Sequence, residues 1–243
     1  MLIAPGRSLG GARPKASVVD QAGCLWIAKF PSARDLEDIG AWESVVHELA
    51  TKAGIQTTEA RHEKFGSAQH TFLSRRFDRT PDGSRIHFAS AMTLLDKSDG
   101  EPGASYLDMA DIIVRQGAHP ERDLEELWRR AVFFMCVSNA DDHLRNHGFL
   151  LEEQGWSLSP AYDMNPVAAS DGLSLNVSES SNAQDLELAR DVAKHFRVNA
   201  SRANEIIEKV LGAVRGWRAE AKRAHIPRSE QERMRSAFRL AET

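Results

Sequence analysis

Ser138-Asn139-Ala140-Asp141-Asp142-His143-Leu144-Arg145-Asn146-His147-Gly148-Phe149 is the stretch on which the fold turns. It follows a run from about Leu124 to Asn139 in which Leu124, Leu127, Trp128, Ala131, Phe134 and Met135 recur at helical spacing, so it is the exit of an amphipathic helix. Two carboxylates, two amides and two imidazoles crowd this exit, more chemistry than a connecting loop needs. Gly148 to Leu151 and Trp156 to Ser159 then read as a short hairpin closed by Glu152-Glu153-Gln154-Gly155. A β-turn-β unit of that length folds the next carboxylate, Asp163 in Leu158-Ser159-Pro160-Ala161-Tyr162-Asp163-Met164-Asn165-Pro166, back beside Asn146.

Upstream of this cluster the pattern is mostly β. Residues 6–13 form a small-residue loop with three glycines, and Pro14 disfavours helix at Arg13. Ala16 to Asp20 and Cys24 to Phe30, joined by Gln21-Ala22-Gly23, read as a hairpin with Leu25, Ile27 and Lys29 on one face of its second strand. A helix follows from about Leu36 to Lys52, with Ile39, Trp42, Val46, Leu49 and Ala50 at helical spacing and Gly54 as its stop. Thr71 to Phe77 reads as a strand, Pro81 to Ser84 as a turn, and Arg85 to Phe88 as the strand's continuation. From Ser105 onward helices take over: about 105–116, 124–139, 183–196, 201–224 and 229–240.

The order of these pieces matches the needs of phosphoryl transfer. That chemistry requires an acceptor for the incoming hydroxyl's proton, and hard oxygen ligands holding Mg²⁺ against the triphosphate. Asp141 and Asn146 repeat the D-x-x-x-x-N spacing of a protein-kinase catalytic loop, and Asp163 follows after a short hairpin as a metal-binding aspartate would. Lys29 on a hairpin strand and Glu43 on the next helix supply a phosphate-facing cation and the carboxylate that orients it. The glycine loop precedes them, where a phosphate cover would sit.

Through Gly10-Gly11-Ala12-Arg13-Pro14-Lys15, Ile27-Ala28-Lys29-Phe30-Pro31, Arg76-Phe77-Asp78-Arg79, the Ser138 to Asn146 loop and Ser159-Pro160-Ala161-Tyr162-Asp163, the chain resembles the HipA-like serine/threonine kinases of bacterial toxin–antitoxin systems. The resemblance covers residues 6–170 by motif. It implies an α+β, bilobal, protein-kinase-like fold: a β-rich small lobe over 1–77 and a mainly helical large lobe over 78–243. It implies ATP and Mg²⁺ as cofactors, Asp141 as the catalytic aspartate, Asn146 and Asp163 as Mg²⁺ ligands, and Lys29 as the ATP-phosphate lysine with Glu43 as its partner. Gly10 and Gly11 would line the nucleotide, the backbone from Arg75 to Phe77 would read adenine, and Ser8 would be an autophosphorylation site. It further implies a protein substrate such as an aminoacyl-tRNA synthetase and a HipB-like helix-turn-helix antitoxin, with DNA reached only through the antitoxin.

The sequence departs from ordinary kinases: no His-Arg precedes Asp141, Met164-Asn165 follows Asp163, and G-x-G-x-x-G is absent. It begins just before the glycine loop, whereas larger family members carry a further N-terminal subdomain, so a minimal core or one piece of a split system is expected. The alternative of another class is a non-catalytic nucleotide-binding or antitoxin-docking pseudokinase, against which the joint presence of Lys29, Asp141, Asn146 and Asp163 speaks.

Composition sets the outer limits. With 243 residues, 42% hydrophobic and 27% charged, the chain is globular and large enough for one core or two lobes meeting at a cleft. A net charge of −4 supplies no chain-wide basic field for nucleic acid. Cys24 and Cys136 stand far apart, without zinc or disulfide spacing, and no 18-residue apolar run occurs, so a cytoplasmic protein without a membrane span is expected. His143 and His147 share the spacing of H-E-x-x-H, but Leu144 replaces the glutamate, which disfavours a zinc hydrolase. Asp142 reads as structural, and the basic run from Arg215 to Arg228 as a solvated helix face.

Overall fold

The structure, a computed structural model, describes residues 2–3, 13–80 and 82–242. Strand β1 (Leu2–Ile3) pairs with β2 (Lys15–Val19), and β2 with β3 (Leu25–Lys29), all antiparallel. The β2–β3 turn is held by Asp20, whose carboxylate accepts from the Ala22 and Cys24 N–H groups and from Trp26 Nε1. Strands β4 (Ala60–Glu63) and β5 (Thr71–Arg75) complete a five-stranded sheet in the order β1-β2-β3-β5-β4. Strand alternation sends Val18, Trp26, Ala28 and Leu73 into a small core on one face. Lys15 and Lys29 therefore point to the other face.

Between β3 and β4 lies helix α1 (Ile39–Ala53), capped by the Asp38 carboxylate on the Ala41 N–H and stopped at Gly54, whose φ of 84° is the left-handed conformation of a helix end. Its face of Trp42, Val45, Val46, Leu49 and Ala50 is wholly buried, not in the small core but in the large one built by the helical part. Gly40 is required where α1 crosses β5: a Cβ there would stand 2.2 Å from the His70 carbonyl oxygen.

Beyond β5 come β6 (Phe88–Ser90), α2 (Ala91–Leu94), α3 (Tyr106–Gln116) and α4 (Pro120–Cys136). Ser105 and Asp108 form a reciprocal capping box at the start of α3. Buried Arg130 ties α4 to its surroundings, donating to Glu126 Oε1 at 3.0 Å and the Ser159 carbonyl at 2.7 Å. Strands β7 (Gly148–Glu152) and β8 (Gly155–Leu158) follow, then α5 (Leu186–Val192), α6 (Ala200–Val214), α7 (Trp217–Arg223), α8 (Arg228–Met234) and α9 (Arg239–Glu242). No described helix is long and apolar enough to cross a membrane.

Two expectations are corrected, and one strand is new. The segment after the Thr80–Ser84 turn does not extend β5; its end, β6, pairs with β7 in a second sheet, β6-β7-β8. Gly148 permits this, because a Cβ there would stand 2.2 Å from the Phe88 ring. The single helix anticipated over 201–224 breaks at Gly216, which starts a new helix and lets Trp217 stack on Phe238 at 4.5 Å. Strand β4 went unforeseen because Ala60-Arg61-His62-Glu63 carries none of the β-branched or aromatic residues that mark strands; Arg61 instead covers the Trp26 ring at 4.8 Å.

Candidate active site

The β2–β3 register sets Lys15 directly opposite Lys29. Opposed like charges repel, and here an anion separates them. Asp163 Oδ1 accepts from Lys29 Nζ at 2.7 Å, and its Oδ2 from Lys15 Nζ at 3.3 Å. Lys29 also donates to Glu43, one turn into α1, so a single ammonium joins the sheet, the helix and the segment after β8. Phe72, its cross-strand neighbour on β5, places its ring 5.8 Å from Lys29 Nζ.

Burial alone would lower the Lys29 pKa, but Glu43 and Asp163 outweigh it and hold the ammonium above its ordinary value. Burial likewise pushes the Asp163 carboxyl up, yet Lys29 and Lys15 prevail and hold it well below the usual carboxylate range. Burial, reinforced by the charge on Asp163, raises the Glu43 carboxyl in spite of Lys29. The Asp163 side chain keeps 27% of its surface exposed.

Two residues in left-handed backbone conformation bracket the chemistry. Ser138, with φ 48°, turns the chain out of α4; Asp163, with φ 58°, turns its carboxylate toward the lysines. Such non-glycine geometry costs about 1–2 kcal/mol and persists only where surroundings impose it. Those surroundings are present: Val167 N–H donates to the Ser138 carbonyl at 3.0 Å, Asn165 N–H to Asn139 Oδ1 at 3.1 Å, and Tyr162 Oη to the Arg145 carbonyl at 2.7 Å.

Asp141 and Asn146 lie on the loop so anchored. Asn146 is nearly buried and donates Nδ2 to the Asp141 carbonyl at 3.3 Å, which turns its amide oxygen away from that bond. The Asp141 side chain is exposed, and among the described residues its carboxylate has no hydrogen-bond partner. No direct bond joins Asn146 to Asp163; Tyr162 makes the link. Asp142 is structural: fully buried, it accepts from Tyr106 Oη at 2.5 Å and bonds His147 Nε2 at 2.8 Å. His147 is thus committed to Asp142, and His143 Nε2 to Arg145 at 3.1 Å.

At the other sequence-derived positions, Arg75 has both backbone groups engaged, its N–H with the Glu59 carbonyl and its carbonyl with Thr58 Oγ1. The Arg76 N–H donates to the Leu25 carbonyl. Phe77 makes no backbone hydrogen bond among the described residues, and its ring lies 5.6 Å from that of Tyr162. Gly10, Gly11 and Ser8 lie outside the described residues.

The sequence reading missed Lys15, although the hairpin turn already pairs it with Lys29. It also missed Asn165, whose Oδ1 is buried without a partner and whose Nδ2 stands 3.4 Å from Asp163 Oδ1. With Arg13, Lys15, Lys29, Glu43 and Asp163, it lines one small cleft. Among the described residues no group of three or more His, Cys, Asp or Glu side chains is placed to hold a metal. The available donors are hard oxygens, the Asp163 carboxylate and the Asn146 amide, a set that suits Mg²⁺ only when phosphate oxygens complete its shell.

Known proteins share this architecture. HipA of Shewanella oneidensis MR-1, solved with HipB and operator DNA, superposes with a TM-score of 0.74 at 16% identity, over 99% of this chain and 67% of its own. CtkA, a proinflammatory kinase of Helicobacter pylori, does so with a TM-score of 0.69 at 14% identity, over 99% of this chain and 91% of its own. The bilobal kinase-like fold is therefore established. Among curated sequences, Y4mE of Sinorhizobium fredii, a candidate kinase by name, is 27% identical over 157 residues, 61% of this chain. The chain spans 36% to 54% of the length of the curated relatives it matches. Because a sequence model of the HipA-like C-terminal domain matches residues 7–217, the whole of this cleft included, the chain belongs to the HipA-like C-terminal domain family.

Proposed function

We propose that this domain is an ATP- and Mg²⁺-dependent serine/threonine protein kinase. The observation that carries the reading is the Lys29 ammonium held between Glu43 and Asp163, groups 134 residues apart at the widest. A like-charged lysine pair kept in register by one carboxylate is a costly arrangement for a scaffold, and a natural one for a site where triphosphate oxygens replace that carboxylate.

In the proposed reaction Lys29 and Lys15 transfer their donors from Asp163 to phosphate oxygens. Asp163 and Asn146 would then be the residues that hold Mg²⁺, which would supply neutralisation of the phosphate charge. Asp141, exposed and unpaired, takes the proton of the incoming hydroxyl as its oxygen bonds to phosphorus and the bond to the ADP oxygen breaks. The unbonded Phe77 backbone is the adenine reader, flanked by the Phe77 and Tyr162 rings.

The substrate we propose is a protein hydroxyl, in the class of an aminoacyl-tRNA synthetase, and the partner a HipB-like antitoxin that alone contacts DNA. The partner rests on the HipA neighbour, which was solved with HipB and operator DNA. One observation favours the non-catalytic alternative: both Asp163 carboxylate oxygens are engaged, one by Lys29 and one by Lys15.

Labelled ATP with and without Mg²⁺, together with nucleotide-dependent thermal stabilisation, separates the readings. Kinase action predicts label on a protein hydroxyl, Ser8 included, and a loss of about 10²–10⁴-fold in Asp141→Asn with nucleotide stabilisation retained. Stabilisation without transfer in the wild type supports the pseudokinase. The absence of both effects would refute nucleotide recognition altogether.

A further inference from the structure

The Glu43 carboxylate can orient Lys29 only if the first turns of α1 stay in place, and the structure shows what keeps them there. Asp38, the residue before α1, is bound from two directions. Its Oδ1 accepts from the His70 N–H at 2.9 Å and its Oδ2 bonds His70 Nδ1 at 2.6 Å, which fixes it to the start of β5. Its own N–H donates to Glu230 Oε1 at 2.9 Å. The same Glu230 oxygen accepts from Trp42 Nε1 at 2.8 Å.

Glu230 lies on α8, 192 residues from Asp38, and is 7% exposed. Around it the Trp42 ring packs on Trp217 and Phe238, at 6.2 and 6.1 Å. Trp42 and Glu43 are consecutive, so their side chains leave the helix about 100° apart. While Trp42 is drawn into the C-terminal helices, Glu43 is aimed at the sheet.

We infer that Glu230 is a positioning residue for the phosphate-binding lysine. Through one buried oxygen it locks the rotation of α1 and thereby the Glu43–Lys29 contact. The inference rests on the kinase reading for its consequence, but not for its geometry. If the lock is removed, Glu43 drifts from Lys29, which then falls back on Asp163 and occupies the carboxylate the metal requires.

The test compares Glu230→Ala, Glu230→Gln, Trp42→Phe and, as a control on the same helix, Glu232→Gln, which removes an exposed pair with Arg218. Two readouts are used: kcat and KM for ATP across a Mg²⁺ series, and the acylation rate of Lys29 in nucleotide-free protein by mass spectrometry. Glu230→Ala is expected to raise KM for ATP and the Mg²⁺ requirement about tenfold, and to speed Lys29 acylation severalfold. Glu230→Gln keeps an acceptor oxygen and is expected to restore both readouts to within twofold. Trp42→Phe loses one donor but keeps an aromatic ring, giving an intermediate effect even if the alanine variant does not fold.

A fall in melting temperature with unchanged Lys29 acylation and unchanged KM in both Glu230→Ala and Trp42→Phe overturns the inference, leaving Glu230 a packing residue. Faster acylation in a protein whose wild type transfers no phosphate upholds the positioning role and sinks the kinase reading instead.

Discussion

Replacing Asp163 with asparagine is the most informative single change, because shape and charge separate cleanly there. Asparagine tolerates the left-handed backbone at φ 58°, so no strain is added. Its amide oxygen can still accept from Lys29, but the charge that separates Lys29 from the opposed Lys15 is gone. The bond from the Lys29 ammonium to an amide oxygen stays charge-assisted, so what is lost is the ion-pair attraction, a part of the about 1.5–3 kcal/mol that a hydrogen bond to a charged group contributes. With Glu43 still beside Lys29 and 27% of the Asp163 side chain exposed, a net cost of about 1–2 kcal/mol follows, well short of breaking a fully buried pair. That corresponds to a fall of roughly 2–8 °C in melting temperature at this chain length.

The pH dependence has a definite sign. Asp163 has its carboxyl held below the ordinary value, so its stabilisation is full above the unfolded-state pKa near 3.8 and is lost as pH falls below it. Urea titrations of wild type and Asp163→Asn should therefore differ by a constant amount from about pH 5 to 8, and the difference should shrink progressively as pH falls below about 4. In nucleotide binding, the variant should hold ATP without Mg²⁺ at least as well as the wild type while losing the Mg²⁺-dependent gain, and transfer should fall about 10²–10⁴-fold. Equal stability of the two proteins throughout pH 5–8 would refute the claim that the lysine pair rests on this carboxylate. Undiminished Mg²⁺-dependent transfer would refute its role as a ligand.

Two further outcomes probe the surroundings. Asp142→Ala strands the Tyr106 hydroxyl and the His147 ring in the core and should cost about 3–5 kcal/mol in denaturant unfolding; a loss of transfer at unaltered stability would instead make Asp142 a site residue. Cys136 is buried with its thiol pushed up to about 12, whereas Cys24 is partly exposed, so a thiol reagent at neutral pH should titrate one cysteine in the native protein and two after unfolding.

Local pattern carried a large share of this protein. Helical spacing around Trp42 and Trp128 located α1 and α4, turn chemistry at Gln21-Ala22-Gly23 located the hairpin, and residue types placed Lys29, Glu43, Asp141, Asn146 and Asp163 in their order along the chain. These features are local: a helix face or a tight turn is decided by neighbours within a few residues. Where the reading failed, distant partners had decided. Strand β6 left β5 because Gly148, some sixty residues on, offers Phe88 a place without a Cβ. Strand β4 formed on a polar sequence because β5 presented an open edge.

The site divides in the same way. Which residues could bear charge was legible from residue identity alone. That Lys15 joins Lys29, that one aspartate must lie between them, and that α1 is held by a glutamate 192 residues away depend on strand register and on the docking of helices across the large core. Coulombic repulsion and burial act through space, and the spacing of residues along the chain does not contain the distances on which they depend.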